Sequence, residues 1–292
     1  MSASGSISSS RSSTWNRVDG STFVRTKTKE AVTTQRTYTL GEKLGFGLYA
    51  DVFRLNPLDP TQRSKAAKMC FPKNLLSIDL VPCPSLTPVK HVLLKDDCSI
   101  EKEYTTLQSV HASLPDESGL PSAPKALFPH DAEKDFPACM LLKLYDFNFS
   151  RSSEKAKALS FNDLLDASEQ LATGLKALHS KNIAYGDGGG GNIMYDVKKK
   201  KATFIDFGLT LLPTSYYTPS EAGRLEDVKA LGQTLLFLFQ SKMNRLHYLE
   251  FPKYSELRTC LQAVFKEKTA EKMLEGVKSA RAVYVRTVGA EL

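Results

Sequence analysis

The chain has 292 residues, which is long enough for one large domain or for two lobes with a sizeable buried core. Hydrophobic residues make up 41% and charged residues 24%, as in ordinary soluble globular proteins, and no apolar run approaches the roughly 18 residues that span a bilayer. The formal net charge of +7 suits ATP, an acidic partner or a membrane surface equally well, and ordinary surface lysines also explain it.

The cysteines and the N-terminus indicate the compartment. The N-terminal segment has no apolar core of the signal-peptide kind. An odd number of widely spaced cysteines without a CxxC pair excludes a disulfide framework or a zinc site, and predicts a reducing, cytoplasmic location. The five cysteines are Cys70, Cys83, Cys98, Cys139 and Cys260.

The ends of the chain differ from its middle. Residues 1–36 are rich in Ser, Thr and basic residues and poor in apolar ones, so we expect a disordered tail. The ordered domain is predicted to span 37–284, and 285–292 is expected to be a second tail.

The first half of the domain is rich in strand patterns. Two strands flank a turn with Gly45 and Gly47, and the short strand SKAAKMCF carries Lys68 in its middle. Residues 72–97 read as a surface loop. A helix is predicted over 98–114, with Glu103 beside its apolar face.

The second half is rich in helix patterns. A strand over 139–149 precedes a helix that starts at Ser160 with a capping-box-like Asp163 and ends at His179, which we expect to act as a helix cap. Further helices are predicted over 226–240 and within 254–266 and 269–284. The sequence thus predicts an α+β fold with a β-rich lobe over about 37–148 and a helical lobe over about 158–284.

The segment 182–208 carries candidate site residues on both sides of a predicted hairpin. Its sequence is NIAYGDGGGGNIMYDVKKKKATFIDFG. Asp187 is followed five residues later by Asn192, and a predicted hairpin then leads to Asp206. Two carboxylates and a carboxamide at the ends of a hairpin are hard oxygen ligands, which suit Mg2+ shared with a phosphate-bearing ligand.

Together these residues resemble the protein kinase superfamily, from about residue 38 to 240. LGFGLYADV resembles the glycine-rich loop L-G-x-G-x-x-G-x-V, AAKM resembles the V-A-I-K strand, and DFG is present at 206–208. YGDGGGGN resembles the catalytic loop H-R-D-L-x-x-x-N, and DVKALG, from Asp227 to Gly232, resembles the D-V-W-S-L-G helix that in this family supports the catalytic loop from below. The resemblance implies a bilobal protein kinase-like fold with a reduced C-lobe.

The resemblance also implies a role for each matching residue. Lys68, held by Glu103, would bind the α- and β-phosphates of ATP. Asp206 and Asn192 would hold Mg2+, and Asp187 would orient the acceptor hydroxyl and take its proton, so Asp187, Lys68 and Asn192 are the expected catalytic residues. The expected nucleotide-binding residues are Gly45, Phe46, Gly47, Ala50, Val52, Lys68, Glu103 and Asp206.

Several positions depart from the family pattern. Ala50 replaces the third loop glycine, Tyr185 the usual His and Gly186 the usual Arg, so that Y-G-D is similar to the H-G-D of aminoglycoside and choline phosphotransferases. Gly189 stands where protein serine/threonine kinases carry a lysine, within a run of four glycines. The glycines are explained by slowed or altered catalysis or by room for an unusual substrate. A third interpretation is that the lysine turn 198–201 supplies the missing cation, although such a turn is usually a solvated end of a hairpin.

The expected function is ATP- and Mg2+-dependent phosphoryl transfer to Ser or Thr of a protein substrate. Two alternatives stay open: a small-molecule phosphotransferase, and a nucleotide-binding pseudokinase that acts as a scaffold. We expect no specific nucleic-acid binding and no transmembrane segment. The expected location is cytoplasmic, with delivery into a host cell as an alternative suggested by the similarity to minimal kinases of bacterial effectors and viruses.

Overall fold

A computed structural model describes residues 12–19, 21–29, 32–46, 50–70, 100–129, 133, 138–214, 219–247 and 255–289. These residues form a β-rich N-terminal sheet and a helical C-terminal part, which confirms the prediction of an α+β layout. The chain divides into two units, one of Met1–Tyr104 with Pro124–Leu144 and one of Thr105–Ala123 with Tyr145–Leu292. Every helix in the described ranges is too short or too polar to cross a bilayer.

The first unit contains a seven-stranded antiparallel sheet within the described ranges, in the order β1-β2-β3-β4-β5-β7-β6. Its strands are β1 (Ser12–Arg17), β2 (Thr22–Lys29), β3 (Val32–Phe46), β4 (Asp51–Pro57), β5 (Lys65–Cys70), β6 (Ala126–Phe128) and β7 (Ala138–Leu142).

The prediction of a disordered tail through residue 36 is wrong for the strands β1, β2 and the start of β3. Phe23 of β2 pairs in register with Tyr38 of β3, and both side chains are fully buried. Trp15 of β1 packs its ring 5.1 Å from that of Tyr38. A few large side chains at alternate positions therefore bury enough apolar surface to offset the cost of ordering a Thr-rich segment. Residues 1–11 lie outside the described residues.

The sheet is rolled, so that its inner face encloses the core of the first unit. The rings of Phe23 in β2 and Phe128 in β6 are 5.4 Å apart, although five strand spacings, about 24 Å in a flat sheet, separate the two strands. Burial raises the pKa of the Cys139 thiol within this core to about 12, so we expect it to be unreactive. The core residues are Phe23, Tyr38, Leu55, Ala67, Met69, Cys139 and Leu141.

The second unit is mainly helical. Its helices are α2 (Glu154–Ala158), α3 (Phe161–Ser180), α4 (Glu221–His247), α5 (Ser255–Val264) and α6 (Ala270–Gly289), while α1 (Ile100–Ser113) contains the division between the units. A small sheet, in the order β10-β9-β8, consists of β8 (Phe147–Asn148), β9 (Ile193–Asp196) and β10 (Lys201–Phe204).

Helix α3 begins as its sequence predicts. The backbone N–H of Asp163 donates to the Ser160 hydroxyl at 3.0 Å, and that hydroxyl donates to the Asp163 carboxylate at 2.6 Å. The apolar stripe of α3 is fully buried, and Arg281 of α6 contacts Asp166 of α3 at 2.7 Å. These contacts make α3 the support on which the rest of the second unit packs.

Some predicted bounds change. Helix α6 extends to Gly289, so the predicted tail 285–292 is wrong over its first five residues, which continue the helix. The predicted strand over 139–149 forms two strands in different sheets, β7 and β8. The whole of the predicted surface loop 72–97 lies outside the described residues, and so does Gly47.

Candidate active site

The first group of candidate residues is a buried ion pair in the first unit. Lys68 lies in the middle of β5, between Val52 of β4 and Met140 of β7 in register. Its Nζ is 2.7 Å from Oε2 of Glu103 on α1, and the two side chains are only 13% and 4% exposed. The two partners are 35 residues apart in the chain, and their pairing is the one that the resemblance to protein kinases implied.

The glycine-rich segment is a hairpin between β3 and β4, as predicted. Gly45 pairs with Val52 and Phe46 with Asp51, after register shifts earlier in β3. Ala50 is buried, which agrees with a small residue at the third glycine position. Contact of this segment with a phosphate stays a prediction.

The second group of candidate residues lies in the second unit, around the hairpin β9–β10. A 3-10 helix, Gly190–Asn192, carries Asn192 to the start of β9. The Asn192 side-chain amide donates to the backbone oxygen of Asp187 at 3.4 Å, and its backbone oxygen accepts from the N–H of Ile205 at 2.8 Å. Asn192 thus links the segment containing Asp187 to the residue that precedes Asp206.

Asp206 has an unusual backbone conformation, with a φ of 59° in the left-handed region. Such a residue costs of order 1–3 kcal/mol unless its surroundings impose the conformation, and positions of this kind cluster at functional sites. The next residue, Phe207, is fully buried and packs its ring 5.0 Å from that of Tyr185. This packing anchors the residue that directly follows Asp206, just beyond the end of β10.

Asp227 holds the backbone that leads into Asp187. Its carboxylate accepts the N–H of Tyr185 at 2.8 Å and the N–H of Gly186 at 2.7 Å, and it is 2% exposed. Nε2 of His179 lies 3.0 Å from the same carboxylate. The ring of His179, which we expected to cap α3, therefore contacts this carboxylate.

Tyr185 is a structural anchor that sequence reasoning did not identify as one. Its fully buried ring packs 4.9 Å from that of Phe204, and its hydroxyl donates to the backbone oxygen of Ile205. Its backbone oxygen accepts from the Thr210 hydroxyl at 2.9 Å. Tyr185 thereby ties the segment before Asp187 to residues on both sides of Asp206, and no local pattern could have revealed these partners.

Gly186 is required by its backbone conformation and by its neighbours. Its φ is 87°, and a Cβ at this position would lie 2.6 Å from the backbone oxygen of Leu209. An arginine, which the kinase pattern has here, would clash with that oxygen. The departure from the family pattern is thus coupled to the path of the chain after the D-F-G residues.

The four consecutive glycines fall into two kinds. A Cβ would lie 2.9 Å from the Ala230 side chain at Gly188 and 2.4 Å from a backbone oxygen at Gly190, so these two are packed closely. At Gly189 the nearest atom would be 3.9 Å away, and at Gly191 no atom lies within 4 Å. The segment therefore has open space at the position where serine/threonine kinases carry a lysine.

The lysine turn at 198–201 lies at the far end of the hairpin from Asn192. Ile193 pairs with Phe204 at one end of the hairpin and Asp196 pairs with Lys201 at the other, about 10 Å along the strands. Lys200, 68% exposed, contacts Asp163 at 2.9 Å. This placement favours the interpretation of a solvated turn.

The donor chemistry of the second group is compatible with magnesium. Asp206 and Asn192 offer one carboxylate and one amide oxygen, and Mg2+ usually takes one or two carboxylates together with waters and phosphate oxygens. Within the described ranges, no group of three or more His, Cys, Asp or Glu side chains could hold a metal without such help. Asn192 and Asp206 therefore fit an ion that arrives with a phosphate ligand.

Comparison of the chain with protein-family models and with curated proteins finds no match.

Proposed function

We propose that the protein is an ATP- and Mg2+-dependent phosphotransferase that acts on Ser or Thr hydroxyls of a protein substrate. The observation that carries this proposal is the ion pair between Lys68 and Glu103, 2.7 Å apart and largely removed from solvent. A buried ion pair is often no more stabilising than an apolar pair of the same size. Function is therefore a better reason for its presence than stability.

In the first unit, Glu103 orients Lys68 and keeps its ammonium group at the sheet. An ammonium group held in this way suits the α- and β-phosphates of a nucleotide, because its partner fixes the side chain before the ligand arrives. The hairpin through Gly45 and Phe46 would offer backbone N–H groups to the same phosphates.

In the second unit, Asp227 supports the backbone before Asp187, and Asn192 supports the backbone after it. Asp187 is proposed to accept a hydrogen bond from the acceptor hydroxyl and to take its proton. Asp206 and Asn192 would hold Mg2+, which when bound neutralises charge on the phosphate oxygens.

The proposed step balances as follows. The acceptor oxygen forms a bond to the γ-phosphorus of ATP as its proton passes to Asp187. The bond between the γ-phosphorus and the bridging oxygen breaks, and its electron pair leaves with ADP. No oxidant or further reactant is needed, so the residues mainly orient groups and neutralise charge.

The first experiment measures transfer of labelled γ-phosphate in the presence of Mg2+, to the protein itself and to a panel of protein and small-molecule acceptors. Asp187→Asn should lower the rate at least about 100-fold, because proton transfer alone contributes that much. Asp206→Asn should also lower it at least about 100-fold, because it removes a carboxylate ligand of the Mg2+ that neutralises charge on the phosphate oxygens. Lys229→Gln, an exposed lysine paired with Glu226, is the matched surface control and should leave the rate unchanged.

The outcomes separate the three candidate functions. Label that moves only to a small acceptor would replace the protein substrate by a small molecule. Nucleotide binding with equally low transfer in wild type and both Asp variants would favour the pseudokinase scaffold. Absence of both ATP binding and transfer would refute the proposal altogether.

A further inference from the structure

Basic side chains collect at one end of the rolled sheet in the first unit. Neighbouring strands are antiparallel, so the C-terminal ends of β2 and β7 meet the N-terminal ends of β3, β5 and β6 at the same end of the sheet. Each of these five strands carries a basic residue at that end or within four residues of it. They are Arg25, Lys143, Arg36, Lys65 and Lys125, named here the basic cluster.

Two members of the basic cluster lie two residues from core residues on the inner face. Arg25 is two residues from Phe23, Lys65 is two residues from Ala67, and side chains two residues apart on a strand share a face. Arg25 and Arg36 are directly opposite each other in the register of β2 and β3. Like charges in direct opposition destabilise a sheet, so this pairing needs another reason.

The electrostatics of Lys65 agree with the roll of the sheet, which brings the rings of Phe23 and Phe128 from distant strands to 5.4 Å from each other. Burial lowers the pKa of Lys65 below its ordinary value, and the charges of Arg25, Lys125 and Arg63 lower it further. In a flat sheet Arg25 on β2 would be about 14 Å from Lys65 on β5, which would weaken that influence. The roll of the sheet brings the two cations towards each other.

Lys125 is more exposed than Lys65, but its pKa is lowered by the same kinds of influence. Desolvation lowers its pKa first, followed by the charges of Arg25 and Lys143. Among the ion pairs of the described residues, none includes Lys65 or Lys125. The charge of Arg36 contributes to the lowered pKa of the Asp59 carboxyl group. The Asp59 carboxylate accepts hydrogen bonds from Thr61 and Gln62.

The basic cluster is separate from Lys68. Lys65 and Lys68 are three residues apart on β5, so their side chains point to opposite faces of the sheet, about 10 Å apart along the strand. The hairpin at Gly45 lies at the end of β3 opposite to Arg36. The basic cluster therefore belongs to another surface than the candidate nucleotide-binding residues.

We propose that the basic cluster is a binding site for a compact anion that carries several phosphate groups. Cations from five strands around one end of a roll match a small, highly charged ligand better than an extended chain, which would need cations in a row. Lys65 is already half-buried before a ligand binds, so little further desolvation is needed. Phosphate oxygens would supply the negative charge that the described residues do not offer to Lys65 and Lys125.

The sole tryptophan of the chain provides a direct signal. The guanidinium group of Arg25 lies over the ring of Trp15, 5.5 Å from its centroid, and its Nε donates to the Ser13 hydroxyl at 3.0 Å. A ligand that binds Arg25 should therefore change the fluorescence of Trp15. Inositol hexakisphosphate is the free probe, and vesicles of phosphatidylcholine with phosphatidylinositol bisphosphate test the same chemistry on a lipid.

The test compares two double variants with equal charge. Lys65→Gln/Lys125→Gln removes two members of the basic cluster, and Lys229→Gln/Lys278→Gln removes two exposed lysines of α4 and α6. The first should weaken binding of inositol hexakisphosphate about 100-fold, at about tenfold for each charge-assisted contact, while the second changes it less than about threefold. Thermal melts of all proteins establish that each variant is folded.

Each outcome decides the proposal. Saturable binding of the free probe that the first variant alone weakens supports it, and vesicle binding with the same dependence assigns the phosphates to a lipid headgroup. Equal weakening by both variants, or no saturable binding of either probe, overturns it. Tighter binding of a single-stranded oligonucleotide through Lys65 and Lys125 also overturns it, because the ligand would then be an extended polymer.

Discussion

Replacement of Asp227 by Asn should destabilise the second unit more than most single substitutions. The carboxylate is 2% exposed and accepts N–H groups from Tyr185 at 2.8 Å and Gly186 at 2.7 Å. An Asn side chain has one acceptor oxygen, so one of these buried N–H groups would face an amide N–H2 group. A charge-assisted hydrogen bond is worth about 1.5–3 kcal/mol and an unsatisfied buried donor costs about 1–3 kcal/mol, so we expect a loss of about 2–4 kcal/mol.

Two measurements check this expectation. Urea denaturation gives the change in the free energy of unfolding, and hydrogen exchange followed by mass spectrometry reports on the amides of Tyr185 and Gly186. Those two amides should exchange faster in Asp227→Asn even under conditions where the protein stays folded. Phosphoryl transfer, if present in the wild type, should fall as well, because the backbone before Asp187 loses its support.

The neighbouring residue provides a matched control. Glu226 is exposed and contacts Lys229, so Glu226→Gln removes the same charge from the same helix and should change the free energy of unfolding by less than about 0.5 kcal/mol. If Asp227→Asn costs no more than Glu226→Gln, and the Tyr185 and Gly186 amides exchange at the wild-type rate, the carboxylate does not hold this backbone and the reasoning is refuted.

Three further predictions concern stability in thermal and urea unfolding. Gly186→Ala should cost about 2–4 kcal/mol through its positive φ and close neighbour, whereas Gly189→Ala should cost nothing; equal effects would contradict the assigned backbone. Ser160→Ala should cost about 1 kcal/mol at neutral pH. The Ser160 hydroxyl and then Lys200 lower the pKa of Asp163, so the ionised carboxylate stabilises the fold, and this contribution is lost as pH falls through the lowered pKa. The free energy of unfolding of Ser160→Ala should therefore decrease less on acidification than that of the wild type. Lys65→Gln should raise Tm at neutral pH, because the lowered pKa of Lys65 means that its charged form destabilises the fold. This gain in Tm should disappear as pH rises through the ordinary lysine pKa, where the wild-type side chain is neutral in both the folded and the unfolded state. A lower Tm for the variant at neutral pH would contradict the prediction.

The local elements of the second unit could be predicted well from the sequence. Helix α3 follows from its apolar spacing and the cap at Ser160, and the hairpin β9–β10 follows from two apolar runs around a lysine turn. The ion pair of Lys68 with Glu103 was predicted from the resemblance to protein kinases, because each residue stands at the matching motif position on its own strand or helix. These features depend on residues close in the chain or on a strong local pattern.

The N-terminal strands could not be predicted in the same way. Polar β-strands such as β1 and β2 have a composition similar to that of disordered segments. They become ordered because Trp15, Phe23 and Tyr38 pack together and because Phe23 reaches Phe128, more than 100 residues later in the chain. Contacts at that separation leave no signal in a window of neighbouring residues.

The sequence by itself determined the chemistry available to this protein: Asp187, Asn192 and Asp206 in their order, Lys68 with its glutamate, and a chain that is β-rich first and helical afterwards. Tertiary structure alone decided that Tyr185 anchors the segment before Asp187, and that the cations around Lys65 converge. The physical reason is that residue type and local spacing set propensity and charge, whereas burial, close approach and convergence arise only when distant segments pack against one another.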